Sequence, residues 1–450
     1  MAAEHRQRRV PLIFLVLLPV LLALVAMILW NVSRPVIDAR VQAIRAAGYA
    51  VTLQEMDAAY KRPADVNNAA LIYTNAFARP LLASNLANDY TVSNWLPPRG
   101  RPANEADKAE FEALLATNKE AMDLLYQAAT LGATRYPIDL TQGAFTLLPH
   151  LSKIKSATAI LATEGVILAQ DRKNKEAVRT FVAASKVADS VAEEPLMISQ
   201  LVYYAAWNVI CADIEKALSL GSFNEDELLE LQRVVTAGER TNSLALALAG
   251  ERSGSLAVFT EVRHQTAMIS GQWGSTTSGE RLKTQLAMGL MKATGVFTKD
   301  KDFFLDNMSN FVWAAEQPHP ERWKQTQLLP APLAPSRFWV FSRMLLPALG
   351  KATKKDVEHA ARIRAAQTAL AIERFRMAHT NALPETLSEL TTAFCPSVPL
   401  DPFDGTALHY KRLQRGYVVY SIGADGKDDG GTEYNSKNPA GYDITFTVEK

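Results

Sequence analysis

The sequence is poor in the residue types and motifs that build familiar catalytic and metal sites. Its 450 residues include two cysteines, Cys211 and Cys395, which cannot form a disulfide framework and do not lie in a Cys-x-x-Cys pair. They either pair with each other or, as we favour, are buried separately as small apolar side chains. His-Glu-x-x-His, Gly-x-Ser-x-Gly, P-loop and Gly-x-Gly-x-x-Gly elements are all missing. We therefore predict no catalytic residue and favour a non-enzymatic protein, with an enzyme as the open alternative.

An excess of positive charge is missing as well. Lys and Arg number 48 against 47 Asp and Glu, a formal net charge of +1. A nucleic-acid partner needs basic side chains to neutralise its phosphates, so we predict no such partner. Hydrophobic residues make up 48% and charged residues 21%, which is typical of a folded protein rather than a disordered one. At this length, two domains are expected.

One long apolar run stands out near the N-terminus. Residues 10–30 contain no charged or polar side chain, and about 20 apolar residues are enough to cross a hydrocarbon core as a helix. Arg6, Arg8 and Arg9 precede the run, which predicts a cytoplasmic tail at residues 1–9 and an extracytoplasmic remainder. We expect a single signal-anchor helix in a bacterial inner membrane, with the bilayer as its partner. The alternative is a cleaved signal peptide, although the run is long for one and no small-x-small site follows.

The part after the anchor is predicted to be mainly helical. Residues 31–62 form a juxtamembrane segment, in which Thr52 is placed to cap a helix. Residues 63–335 form an α-helical domain, because small and apolar side chains recur at three- and four-residue spacing, as in Ala157, Leu161 and Gly165. We favour an irregular bundle; hairpins of tetratricopeptide type are the alternative, without a clean 34-residue period. The prolines of residues 318–335 predict an extended linker.

Residues 336–450 are predicted to form an α+β domain. A strongly periodic helix covers residues 354–378, and alternating apolar side chains predict three strands near residues 408–410, 417–420 and 444–448. A hairpin turn at residues 414–416 would join the first two strands into a small antiparallel sheet.

Several short motifs follow in order within this C-terminal segment. They are an Asp-Pro-Phe-Asp-Gly turn at residues 401–405, a Ser-Ile-Gly-Ala-Asp-Gly loop at residues 421–426 and a final Asp443-Ile444. This order resembles the C-terminal half of the major pseudopilin of type II secretion systems, the protein G type. The prepilin-peptidase site and the early glutamate of that family do not occur at residues 10–30. The chain as a whole also resembles a group of bacterial membrane-anchored proteins that share the segments at residues 45–48 and 68–70. Both resemblances imply architecture rather than activity.

The pseudopilin resemblance also implies a calcium site. In that family the Gly-Ala-Asp-Gly loop and the later Asp-Ile bind calcium, which here implies Asp425 and Asp443 as ligands. Asp429 lies four residues after Asp425 in the same glycine-rich loop, and we predict it as the third ligand. Carboxylates spaced by glycines in a loop offer the converging oxygens that this hard cation needs. On spacing alone, a solvated acidic turn is an equally simple interpretation. Calcium is the one cofactor that we predict.

Three functional hypotheses remain open at this stage. The first is a binding or scaffold protein with partners in the cell envelope. The second is an envelope hydrolase whose site is assembled from scattered carboxylates. The third is a secretion-system-associated, pseudopilin-like subunit.

Glu251 and Arg252 lie between Gly250 and Gly254 and are predicted to form a buried ion pair. A role of Glu251 as a general acid is the alternative.

Overall fold

A computed structural model describes residues 39–60, 67–83, 96–260, 289, 296–329, 339–435 and 441–450. The anchor predicted at residues 10–30 lies outside these ranges. Among the helices that the structure describes, none combines the length and the apolar character needed to cross a bilayer.

The described chain is mainly helical, with one three-stranded antiparallel sheet near the C-terminus, as the sequence predicts. Its helices are α1 Ala39–Ala46, α2 Leu53–Ala59, α3 Ala69–Phe77, α4 Pro80–Ala83, α5 Glu105–Thr117, α6 Lys119–Ala128, α7 His150–Gln170, α8 Asn174–Asp189, α9 Met197–Leu220, α10 Glu225–Ala237, α11 Ser243–Thr260, α12 Val296–Glu316, α13 Glu321–Leu328, α14 Val340–Leu345 and α15 Pro347–Ala378. Two 3₁₀ segments cover Leu140–Phe145 and Leu387–Leu390, and the strands are β1 His409–Leu413, β2 Gly416–Ser421 and β3 Ile444–Val448.

Local sequence signals set several of these boundaries. The Thr52 side chain accepts a hydrogen bond from the Glu55 amide and opens α2, so the predicted cap is confirmed. Gly48 follows α1 with φ +83°, a conformation that glycine adopts without strain. Asn224 and Glu227 form a capping box at the start of α10, which satisfies two amides that would otherwise have no helical partner.

The centre of the bundle is the antiparallel hairpin of α7 and α8, packed with α9. Small side chains allow this close packing: a Cβ at Gly165 would lie 2.8 Å from the Phe181 ring. Ala157, Leu161 and Gly165, which the sequence analysis selected for their spacing, are all buried. Cys211 on α9 is also buried, and both it and the buried Cys395 are free cysteines, as expected of small apolar side chains.

The C-terminal elements pack onto the same core. The long helix α15 lies between α9 and α10 on one side and strands β2 and β3 on the other, and the main hydrophobic core includes Trp207, Leu370 and Phe446. The segments predicted as separate domains, residues 63–335 and 336–450, therefore share one core. The position of a domain boundary stays a prediction.

The sheet has the order β1-β2-β3 with antiparallel pairing throughout. Tyr417 lies opposite Val448, and Leu413 lies opposite Gly416, which confirms the hairpin turn predicted at residues 414–416. Gly416 has φ +99°, and a Cβ there would lie 1.8 Å from the Val448 carbonyl oxygen, so the close approach of β3 requires glycine.

The extended linker predicted for residues 318–335 is wrong over its first half. Glu321–Leu328 forms α13, with Pro320 in the N-cap position. Proline is tolerated at the start of a helix, because the first-turn amide that it lacks has no partner within the helix. Residues 330–338 lie outside the described ranges.

Candidate functional site

The three predicted calcium ligands lie around one loop, where Asp443 and Asp425 make separate hydrogen bonds. Asp443 is buried just before β3, where its carboxylate accepts hydrogen bonds from the amides of Gly431 at 2.8 Å and Asp429 at 3.4 Å. Burial raises the pKa of Asp443, and these two amides partly offset the effect. Asp425 is exposed and accepts a hydrogen bond from the Lys427 amide at 3.2 Å, within its own turn. The structure thus brings Asp443 to the loop at Asp429 and leaves Asp425 in a separate contact.

Within the described ranges, no three His, Cys, Asp or Glu side chains are grouped so that they could hold a metal ion. Residues 436–440, which join this loop to Gly441, lie outside those ranges. Calcium binding by Asp425, Asp429 and Asp443 therefore stays a prediction.

A larger concave surface opens on another part of the bundle, and we call it the main groove. It has a volume of about 730 Å³ and is lined by residues within 48–60, 192–195 and 239–250 together with Glu316. Met56, Ala245 and Leu246 make part of its lining apolar, whereas Glu193 and Arg240 add charge. These segments are far apart in sequence, and α2, α9 and α11 bring them together.

A second hollow adjoins the main groove, and we call it the side cavity. It measures about 470 Å³ and is lined by residues 131–134 and by Tyr73, Lys186, Asp189, Ser190, Glu193 and Arg240. Glu193 and Arg240 line both spaces. The two cavities are therefore neighbours that share a charged boundary.

Arg240 at this boundary is held by the largely buried carboxylate of Asp189. Its Nη2 donates to Asp189 Oδ2 at 3.2 Å, and the Trp207 indole nitrogen donates to Asp189 Oδ1 at 3.1 Å. Burial raises the pKa of Asp189, and the Arg240 charge acts in the opposite direction. The pair fixes the guanidinium in place and balances its charge.

A buried polar network lies behind the main groove. Arg322 on α13 donates to Asp356 Oδ2 at 2.8 Å and to the Thr241 carbonyl at 2.7 Å, and Tyr204 donates to Asp356 Oδ1 at 2.8 Å. Thr241 also lines the main groove, so α9, α13 and α15 together fix that part of its wall. A buried charge pair whose partners are all hydrogen-bonded is costly to break.

The ion pair predicted between Glu251 and Arg252 is wrong: although the structure describes both residues, no ion pair joins them. The Glu251 carboxylate accepts from the Met197 amide at 3.0 Å, and Arg252 lies over the Tyr49 ring at 5.2 Å. Consecutive helical residues project about 100° apart, so the two side chains meet different neighbours. Burial raises the pKa of Glu251.

One buried cluster has the residue types of a hydrolase triad but not its geometry. His150 Nε2 lies 2.9 Å from Glu194 Oε1, and the Ser199 hydroxyl donates to Glu194 Oε2 at 2.5 Å. The glutamate therefore separates the serine from the histidine, whereas a triad needs the histidine next to the nucleophile. All three side chains are buried, and the cluster ties the start of α7 to the start of α9.

No sequence pattern marks the residues that line the two cavities. Lys186, Asp189, Glu193 and Arg240 have no motif spacing, and their functional context exists only after α8, α10 and α11 have packed. No protein-family model, curated protein or solved structure matches the chain. The geometry of the two cavities is therefore the main structural indication of function.

Proposed function

We propose that this chain is a non-enzymatic binding protein of the bacterial cell envelope, anchored in the inner membrane through residues 10–30. The observation that carries the proposal is the junction of the main groove and the side cavity at Glu193 and Arg240. Ligand sites are typically concave spaces of about 300–1,000 Å³ with an apolar lining and a few polar groups, and both cavities fall in that range.

Parts of the walls of the two cavities are held in fixed positions, and this supports a binding site. Asp189 fixes Arg240 from one side, and the network of Arg322 and Asp356 fixes the chain at Thr241 from the other. A site that is already ordered loses less conformational entropy when it binds a ligand. Leu246, a partly exposed apolar side chain in the main groove, adds surface that a ligand can cover.

The proposed location in the cell envelope is supported by the sequence alone. The apolar run at residues 10–30 and the preceding arginines support an anchor with the binding region outside the cytoplasm. Partners would then be envelope components.

An envelope hydrolase is the second candidate. Asp189 and Glu193 both line the side cavity, and the pKa of Asp189 is raised by burial, as a general acid requires. Its salt bridge with Arg240 favours the charged form and weakens this candidate. The secretion-subunit hypothesis has the motif order of residues 401–444 as its support, and copurification with secretion machinery would test it.

The proposed function can be tested by thiol protection in intact cells. The two native cysteines are buried, so Leu246→Cys introduces an accessible thiol in the main groove. Leu201→Cys is the matched control, because Leu201 is 36% exposed against 38% for Leu246 and does not line either cavity. Rates of alkylation by a membrane-impermeant maleimide are compared in cells and in the purified full-length protein.

If a ligand occupies the groove in the envelope, the ratio of the rate at 246 to the rate at 201 should be several-fold lower in cells. Equal ratios in the two preparations would contradict a bound ligand. A lack of labelling at both positions in cells, with normal labelling after purification, would contradict the extracytoplasmic location.

A further inference from the structure

We propose that a third cavity, which we call the apolar pocket, binds a primary alkylammonium ion and that Glu251 is the partner of the ammonium group. The inference goes beyond the proposed function, because it assigns a ligand class to a different cavity. It is carried by the apolar lining of this cavity and by a carboxylate in its wall that no cation of the described residues contacts.

The apolar pocket has a volume of about 310 Å³, at the lower end of the range for small-molecule sites. Ile198 in its wall is 48% exposed, so the wall reaches the protein surface. Gly254 also lines the pocket, and a Cβ there would meet nothing within 4 Å, which marks open space on that side. Most of the lining consists of apolar side chains from five parts of the chain, namely Met56, Leu148, Leu196, Ile198, Val258 and Leu345.

Glu251 is the only charged side chain among the described residues that line this pocket. Its Oε1 accepts a hydrogen bond from the Met197 amide at 3.0 Å, at the start of α9. Within the described ranges, the carboxylate makes no other hydrogen bond and no ion pair, and the neighbouring Arg252 lies over the Tyr49 ring instead. The second oxygen, Oε2, keeps accessible surface and is therefore left for a ligand.

The surroundings of this carboxylate determine which ligand suits it. An ionised carboxylate in an apolar wall is unfavourable without a cation, and burial accordingly raises the pKa of Glu251 although the Met197 amide acts in the opposite direction. An ammonium group supplies both the missing charge and an N–H donor for Oε2. An alkyl chain attached to it would cover the apolar wall. A hard metal ion fits less well, because it needs several oxygen ligands and the pocket offers one carboxylate.

Titration calorimetry on the full-length protein in nanodiscs tests the proposal with hexylammonium as the probe, after subtraction of the heats from empty nanodiscs. Hexylammonium should bind saturably at millimolar concentration at pH 8. Hexanol should bind about tenfold more weakly, since it cannot make the charge-assisted contact. Butylammonium should also bind about tenfold more weakly than hexylammonium, because it buries two methylene groups fewer.

Glu251→Gln should remove the preference for hexylammonium over hexanol. Glutamine keeps an oxygen that accepts from the Met197 amide, so the unfolding midpoint should stay close to that of the wild type. Glu110→Gln, at an exposed glutamate on α5 that does not line the pocket, should keep the preference. The wild type should bind hexylammonium several-fold more weakly at pH 5 than at pH 8, since a protonated Glu251 no longer attracts the cation, and Glu251→Gln should lack this pH dependence.

Gly254→Leu places a side chain in the open part of the pocket and should weaken the binding of both hexylammonium and hexanol. The proposal is overturned if hexylammonium gives no saturable heat, if hexanol binds as tightly, or if Glu251→Gln binds hexylammonium as the wild type does. Protection of the thiol at position 246 reports on the main groove and is measured separately, so failure of this proposal is distinguishable from failure of the proposed function.

Discussion

One arginine near the C-terminal strand β3 forms ion pairs with three carboxylates. Arg99 contacts Glu215 at 3.1 Å, Glu433 at 2.6 Å and Glu449 at 3.3 Å, and Glu215 also accepts a hydrogen bond from the Thr447 amide. Glu215 is largely buried on α9, and burial raises its pKa to about 7, because the single guanidinium offsets only part of the desolvation. We predict that this side chain makes the stability of the fold depend on pH.

The direction of the pH dependence follows from the protons that the folded and unfolded states bind. The unfolded Glu215 titrates near 4.5, so between pH 4.5 and 7 the folded state holds a proton that the unfolded state has released. Stability therefore falls as the pH rises through this window. At about 1.36 kcal/mol per pKa unit, the free energy of unfolding should drop by about 2.5 kcal/mol between pH 5 and pH 8 on account of Glu215.

The assay is urea unfolding of the full-length protein and of Glu215→Gln at pH 5 and pH 8. Glutamine stays neutral, so the stability of wild type relative to the variant should fall by about 2.5 kcal/mol from pH 5 to pH 8. Other carboxylates titrate in both proteins and cancel in the difference. Glu110→Gln, at an exposed position on α5, should show no such pH dependence. A difference between wild type and Glu215→Gln that stays constant with pH would refute the reasoning.

Three further predictions concern packing, calcium and topology. Gly250→Ala should lower the unfolding midpoint, because its Cβ would lie 1.8 Å from the Pro195 carbonyl oxygen. Gly254→Ala on the same helix has nothing within 4 Å and should be neutral or stabilising by up to about 1 kcal/mol. The full chain should melt a few degrees higher in millimolar calcium than in chelator, and Asp425→Ala should abolish that difference; identical melting of the wild type would refute the site. A phosphatase fused after Lys450 should be active in cells, and an inactive fusion would contradict the extracytoplasmic location.

The sequence predicts those features of the fold that depend on neighbouring residues. Thr52 caps α2 through an amide three residues away, and the turn at residues 414–416 joins adjacent strands. The run of aromatic and β-branched side chains in residues 417–420 predicts β2, because such residues favour a strand without reference to distant parts of the chain.

Features that depend on tertiary packing could not be predicted in the same way. Glu251 and Arg252 are adjacent in sequence, yet the helix directs them to Met197 and Tyr49. Arg322 lies in the proline-rich stretch that suggested a linker. Its contact with Asp356 forms only when α13 packs on α15. The side cavity is likewise assembled from several distant segments. Local sequence patterns carry no information on such long-range tertiary contacts.

Photo-crosslinking in the native membrane tests directly whether the joined cavities hold a ligand in the envelope. Benzoylphenylalanine is placed at position 246 in the main groove and, as the control, at position 201. We predict a discrete mass adduct at 246, none at 201, and loss of the adduct when Asn242→Trp, at an exposed position of the groove wall, fills the groove. The same adducts at both positions, or none at 246, would contradict it.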